Sequence, residues 1–123
     1  MKEKIVLYVE DNATNRFLME MIFKDFDGFA LELANDAELG LTHVSNCPPD
    51  LILMDKDLPQ MSGLEAVQVL KSDPEYQSIP IIMLTADCTE EVKRLAKAAG
   101  CVYAQAKPFD IAKLQTQIAE LVS

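Results

Sequence analysis

The sequence predicts an α/β protein, a five-stranded parallel sheet wound on both faces by helices. Short apolar runs alternate with segments of helical apolar spacing, five times over in 123 residues. Three of the short runs are nearly all apolar, as parallel strands covered on both faces require. A closed barrel would need about eight such units and about 250 residues, so an open, doubly wound sheet is favoured.

The elements follow in order. The first strand is Ile5 to Val9, and the helix after it opens at Asn12-Ala13-Thr14-Asn15 and carries Phe17, Leu18, Met21, Ile22 and Phe26. The second strand is Phe29 to Leu33. Asn35-Asp36-Ala37-Glu38 then offers capping-box spacing before Leu39, Leu41 and Val44. Leu51 to Met54 is the third strand, and Ser62-Gly63-Leu64-Glu65 repeats that spacing ahead of Val67 and Leu70. The longest polar loop, Asp73 to Ser78, leads to a fourth strand, Ile79 to Leu84, with Pro80 suited to its opening. Val92, Leu95, Ala96 and Ala99 mark the fourth helix, stopped by Gly100. Val102 to Ala106 is the fifth strand, and Asp110 caps a last helix carrying Ile111, Leu114, Ile118, Leu121 and Val122. With no repeat or linker, residues 1–123 are expected to form one domain.

Composition narrows the function. Twenty acidic residues against eleven basic ones give a net charge of −9, which argues against a nucleic-acid-binding surface. No apolar run is long enough to span a membrane, and Met1-Lys2-Glu3-Lys4-Ile5 lacks a signal peptide's apolar core, so a cytoplasmic protein is expected. Cys47, Cys88 and Cys101 are too dispersed for a disulfide framework or a zinc site and read as small, half-buried residues. His43 reads as a helix residue without a ligand role, Lys56 receives no role, and Met19, Met21, Met54, Met61 and Met83 read as core fillers.

The leading strand order for five such units is 2-1-3-4-5, which opens a crevice between the carboxyl ends of the first and third strands. Polar residues converge there: Glu10-Asp11 end the first strand, Asp55 the third and Thr85 the fourth, while the fifth leads to Lys107-Pro108. Three crowded carboxylates repel unless a cation neutralises them, and hard oxygen ligands without sulfur or imidazole suit Mg²⁺. A lysine and a hydroxyl facing the same spot can donate to phosphoryl oxygens. A carboxylate beside the metal can act as nucleophile and form an acyl phosphate, and Asp55 is the most central candidate.

These pieces carry a resemblance. Val9-Glu10-Asp11-Asn12, Leu53-Met54-Asp55, Leu58-Pro59-Gln60-Met61-Ser62-Gly63, Leu84-Thr85-Ala86 and Lys107-Pro108-Phe109 stand in the order and separation of the two-component response regulator receiver domain. The chain resembles that family, typified by chemotaxis regulators, along its whole length, and the resemblance implies its flavodoxin-like three-layer sandwich. Within it, Val9-Glu10-Asp11-Asn12-x-x-Asn15 resembles receivers associated with hybrid sensor kinases. The resemblance implies that Asp55 accepts a phosphoryl group from a phosphohistidine of a sensor histidine kinase or a histidine phosphotransfer protein. It implies Mg²⁺ held by Asp11 and Asp55, with Glu10 acting through water and with the backbone carbonyl of Asp57. It implies further that Thr85 and Lys107 hold phosphoryl oxygens and that the Lys107-Pro108 peptide is cis. Phosphorylation would draw Thr85 and Ala86 inward and bias the face made by the fourth helix, fifth strand and fifth helix toward or away from a protein partner. A second copy of the chain is a further candidate partner. Self-catalysed phosphoryl uptake and loss are expected, rather than turnover of a separate substrate.

Two departures matter. The family's usual aromatic three positions before the lysine is here Ala104, while Tyr103 sits one residue earlier and therefore on the opposite face of the strand. The coupling of threonine to that aromatic should then be absent or altered, leaving Thr85 and Ala86 to set the loop. Asp57 and Asp87, each two residues beyond a site residue, are either solvated loop acids or modulators of acyl-phosphate lifetime. Two other readings share parts of the pattern. Asp55-Lys56-Asp57 has the Asp-x-Asp spacing of haloacid-dehalogenase-like phosphatases, although those residues should end the first strand. A flavodoxin-like cofactor binder would need a phosphate loop where Glu10-Asp11 would repel phosphate.

Overall fold

The computed structural model describes residues 3–122, so residues 1, 2 and 123 of the expected domain lie outside it. Ten elements alternate: β1 Lys4–Val9, α1 Ala13–Lys24, β2 Phe29–Ala34, α2 Ala37–Asn46, β3 Leu51–Asp55, α3 Gly63–Lys71, β4 Ile81–Thr85, α4 Glu90–Ala99, β5 Tyr103–Ala106 and α5 Ile111–Val122. All strand pairs are parallel and the order is β2-β1-β3-β4-β5, the order expected from the sequence.

Alternation along the central strands divides the core between two faces. Val6, Tyr8, Leu51, Leu53, Ile82 and Leu84 pack against Met19 and Phe23 of α1 and Leu114 and Ile118 of α5. Leu7, Val9, Ile52, Met54, Ile81 and Met83 pack against α2, α3 and α4 through Val44, Val67, Leu70 and Ala96. Because Val9 is paired with Met54, the residues that follow them, Glu10 just beyond β1 and Asp55 at the end of β3, lie side by side at the edge of the sheet.

Helix starts are set locally. Asn12 caps α1 by accepting from the Asn15 amide, and Ser62 and Glu65 form a complete capping box on α3. Gly100 closes α4 at φ 116°, a left-handed conformation that an L side chain resists. The Asp110 carboxylate accepts from the Lys113 amide at the start of α5.

Several expectations need correction. The α2 cap is Asp36, which accepts from the Leu39 amide, so the Asn35–Glu38 spacing is not the one used. Strand β4 starts at Ile81 rather than Ile79: the Ile79 amide closes a turn onto the Tyr76 carbonyl, and its own carbonyl accepts from Lys71 Nζ. Cys47 is exposed and Cys101 buried, so the three cysteines do not share one environment. Met21 is 46% exposed beside exposed Phe17 and Leu18, because α1 turns Met19 and Phe23 to the sheet instead. His43, on α2, pairs with Glu32 of β2 at 2.6 Å. No described helix is long and apolar enough to cross a membrane.

Candidate functional site

At the carboxyl edge of the sheet, carboxylate oxygens of Glu10, Asp11 and Asp55 lie within 4.8 Å of one another. Glu10 and Asp55 are buried, at 1% and 2% exposure, and Asp11 is exposed. Lys107 reaches in from the end of β5, its Nζ 2.9 Å from Glu10 Oε1 and 3.3 Å from Asp55 Oδ1. The Lys107–Pro108 peptide is cis.

The two buried carboxylates are held differently. Glu10 accepts from the Tyr8 hydroxyl at 2.8 Å, Asn15 Nδ2 at 3.3 Å, the Asn12 amide at 3.2 Å and Lys107. Its backbone carbonyl accepts from Arg16 at 2.9 Å. Burial opposes its ionisation, but Lys107 and the other donors hold its carboxyl down at about 2. Asp55 has the Asp57 amide at 3.2 Å and the longer contact to Lys107. Burial, then the neighbouring Glu10, pushes its carboxyl up to about 6. Burial works against the charge on Lys107, yet the two carboxylates raise its pKa overall. Burial and Glu10 together raise the Tyr8 phenol well above its ordinary range.

Thr85, fully buried, ends β4 on the face that also carries Met83 and Ala104. Its hydroxyl does not meet Asp55. It donates to Asp57 Oδ2 at 3.2 Å and accepts from the Asp87 amide at 3.1 Å. Lys56 Nζ pairs with Asp57 Oδ1 at 3.0 Å, so Lys56 has a contact that the sequence reading left out. Ala86 and Asp87 are exposed. Tyr103 lies on the α5 side of the sheet, opposite Ala104, and its hydroxyl donates to Glu120 at 3.2 Å.

Tyr8, Asn15, Arg16 and Gly63 also belong to the site and were missed as such. Tyr8 could have been found from alternation, since residues i and i+2 of a strand share a face and Glu10 is two on. Gly63 could not, because a Cβ there would sit 2.1 Å from the Asp55 carbonyl oxygen, a contact between remote segments. Beside Lys107, a groove of about 280 Å³ is lined mainly by apolar side chains, among them Leu18, Met21 and Ile22 of α1 and Pro108, Phe109 and Ile111 at α5.

The donor set suits a hard cation. Every candidate ligand is oxygen, the carboxylates outnumber the single lysine among them, and the exposed Asp11 leaves room for a partly hydrated ion. The Asp55-x-Asp57 pair begins at the end of the third strand rather than the first, as the sequence order implies, and this counts against the phosphatase alternative.

Comparison with known proteins agrees with this geometry. A family model described as the response regulator receiver domain matches residues 6–119. Hybrid signal transduction histidine kinase D of Dictyostelium discoideum is 35% identical over 97% of this chain, which spans 8% of that protein's length. The polar-differentiation response regulator DivK of Brucella anthropi is 34% identical, with 88% of this chain and 87% of that one covered. Among solved structures, the receiver domain of a sensor histidine kinase from Pseudomonas aeruginosa, with a magnesium ion coordinated in its active-site cleft, aligns with a TM-score of 0.88. Its identity is 28%, over 98% of both chains.

Proposed function

The chain belongs to the response regulator receiver domain family of two-component systems, and on that premise we propose that Asp55 is its phosphoacceptor. The observation that carries this is a buried carboxylate at the end of β3, beside a lysine and two further carboxylates. One oxygen of ionised Asp55 attacks the phosphorus of a phosphohistidine. The P–N bond breaks, the imidazole nitrogen keeps the electron pair, and an acyl phosphate remains. Lys107 offers its ammonium to the phosphoryl oxygens, and Thr85 its hydroxyl once that hydroxyl turns from Asp57.

Glu10, Asp11, Asp55 and the backbone carbonyl of Asp57 are the groups that would hold Mg²⁺. The ion supplies positive charge against which carboxylates and phosphoryl oxygens can crowd together. Asp57 and Asp87, together with Ala86 and Ala104, would tune how long the acyl phosphate survives and how the loop answers it. Uptake and loss of the group run on the chain's own residues, with no separate substrate, and residues 1–123 act as one receiver domain.

The donor is a sensor histidine kinase or a histidine phosphotransfer protein, which gives the domain a cytoplasmic place of work. The apolar groove between α1 and Pro108-Phe109 adjoins Lys107, so a donor delivering its histidine to Asp55 would cover it. The switched face is that of α4, β5 and α5, toward a protein partner or a second copy of the chain. The net charge of −9 speaks against direct nucleic-acid binding.

The test is direct. Incubation with Mg²⁺ and a small acyl phosphate or phosphoramidate should add the mass of one phosphoryl group, removable by hydroxylamine and absent in Asp55→Asn. Persistent labelling of Asp55→Asn would overturn the assignment.

A further inference from the structure

Thr85 is described above as a donor to phosphoryl oxygen, yet its hydroxyl is already engaged on both sides. It donates to Asp57 Oδ2 and accepts from the Asp87 amide. Asp57 is itself steadied by Lys56. From β5, the residue paired with Thr85 is Ala106, and the one before it on that face is Ala104. Neither has more than a methyl group with which to hold or release the hydroxyl.

We propose that Asp57 is a positioning residue that holds the Thr85 hydroxyl away from Asp55 while Asp55 is unmodified, and that this bond takes the place of an aromatic gate on β5. The inference rests on reading Asp55 as phosphoacceptor and Thr85 as its oxygen donor.

The physics favours a bond that can be given up. A hydroxyl on a carboxylate is a charge-assisted hydrogen bond, but the Asp57 side chain is 55% exposed, so water screens it. A phosphoryl group on Asp55 brings several acceptor oxygens within the same cleft. It also brings negative charge that repels the Asp57 carboxylate. Thr85 then changes acceptor, and because the Asp87 amide donates to the same hydroxyl, the loop leading to the α4 cap at Thr89 follows. Asp57 acts through Thr85 and has no need to touch the phosphoryl group.

A double-mutant cycle isolates this bond from the general effect of removing a negative charge. The full chain with saturating Mg²⁺ is titrated with beryllofluoride, which mimics a phosphoryl group on a carboxylate, and bound fluoride is followed by ¹⁹F NMR. Asp57→Ala should tighten beryllofluoride about five- to tenfold when Thr85 is present, and much less in a Thr85→Val background. In the free protein, the Asp87 amide resonance of Asp57→Ala should move part of the way toward its beryllofluoride-bound position. Asp57→Asn, which keeps an acceptor oxygen, should restore most of the original position. Equal tightening in both backgrounds, or an Asp87 amide that does not move, would overturn the proposal. The amide measurement needs no Thr85 variant, so it stands even if Thr85→Val folds poorly. Failure of the wild-type chain to bind beryllofluoride at all would instead count against Asp55 as the phosphoacceptor.

Discussion

Glu10 and Asp55 are neighbours that titrate in opposite directions, and the difference has a consequence for stability. Glu10 has four donors to its side chain, from Tyr8, Asn12, Asn15 and Lys107, so its charge is compensated and its carboxyl sits at about 2. Its ionised form therefore stabilises the fold above its ordinary carboxyl range, and that contribution is lost as pH falls toward 2. Asp55 is raised to about 6 by burial and by Glu10. Its folded form holds a proton more tightly than the unfolded chain does, so the favourable contribution is present below the ordinary Asp pKa and is lost as pH rises through about 6. The buried Asp55 charge, beside Glu10, therefore works against the fold at pH 7 in metal-free protein. In chelator, Asp55→Asn should therefore melt higher than wild type at pH 7.5, with the gap closing by pH 4. Thermal melts across that range check it, and a gap independent of pH would contradict the assignment. Glu10→Gln should do the reverse and lower the melting temperature at pH 7.5, since Lys107 loses its nearer partner. That Asp55 and Glu10 meet was legible from their places at two strand ends. Which of the two would be the strained one was not, because it depends on Tyr8, Asn12 and Asn15 all pointing at Glu10.

Helix α3 illustrates what an element's sequence can and cannot reveal. Ser62 and Glu65 announce its start because a capping box is local, and the structure forms both of its hydrogen bonds. Gly63, between them, carries a tertiary constraint that no local pattern records. A Cβ there would fall 2.1 Å from the Asp55 carbonyl oxygen and 2.8 Å from Lys56 Cα, both of them backbone. The first turn of α3 thus rests on the main chain of the proposed phosphoacceptor. Gly63→Ala should cost about 3 kcal/mol, the upper end of ordinary overpacking, and should slow labelling of Asp55 by displacing it. Urea denaturation and acyl-phosphate labelling measure the two effects, and an alanine that leaves both unchanged would refute the contact. Helix α1 shows the converse. Its apolar spacing was legible, but spacing cannot say how many of those residues the sheet will cover, and Phe17, Leu18 and Met21 remain exposed. If the adjoining groove receives the donor protein, Leu18→Asp should slow transfer from a histidine-containing donor by about tenfold, an anchor-sized loss. Labelling by a small acyl phosphate should continue, and equal losses with both donors would point to a disturbed site rather than a lost docking contact.

At the scale of the whole molecule, chain length and five βα alternations favoured an open doubly wound sheet, the leading strand order for such a sheet is the one observed, and that order dictates where strand ends meet. The charge of −9 is a total, and the expected strand ends already gather part of it at one edge. The fold concentrates part of it, setting Glu10, Asp11 and Asp55 together against Lys107. On the proposed reading such a cluster would make the folded state a ligand for a divalent cation, whereas the unfolded chain disperses the same carboxylates. Mg²⁺ should therefore raise stability by mass action, by about 1.4 kcal/mol when present at tenfold its dissociation constant. For a chain of this size that is a shift of about 5 °C in melting temperature. Because salt also screens the exposed carboxylates, the control is an equal ionic strength of sodium chloride. Asp11→Asn is the informative variant: Asp11 is exposed and none of the described hydrogen bonds or ion pairs involves its side chain, so the metal-free melt should scarcely change while the Mg²⁺ increment shrinks. Asp55→Asn should lose the increment too, but from a higher metal-free starting point, since the substitution also removes the buried charge. An increment that persists in both variants would mean that Mg²⁺ acts on the general acidic surface. One that disappears in both would locate the metal's effect at the junction of β1 and β3.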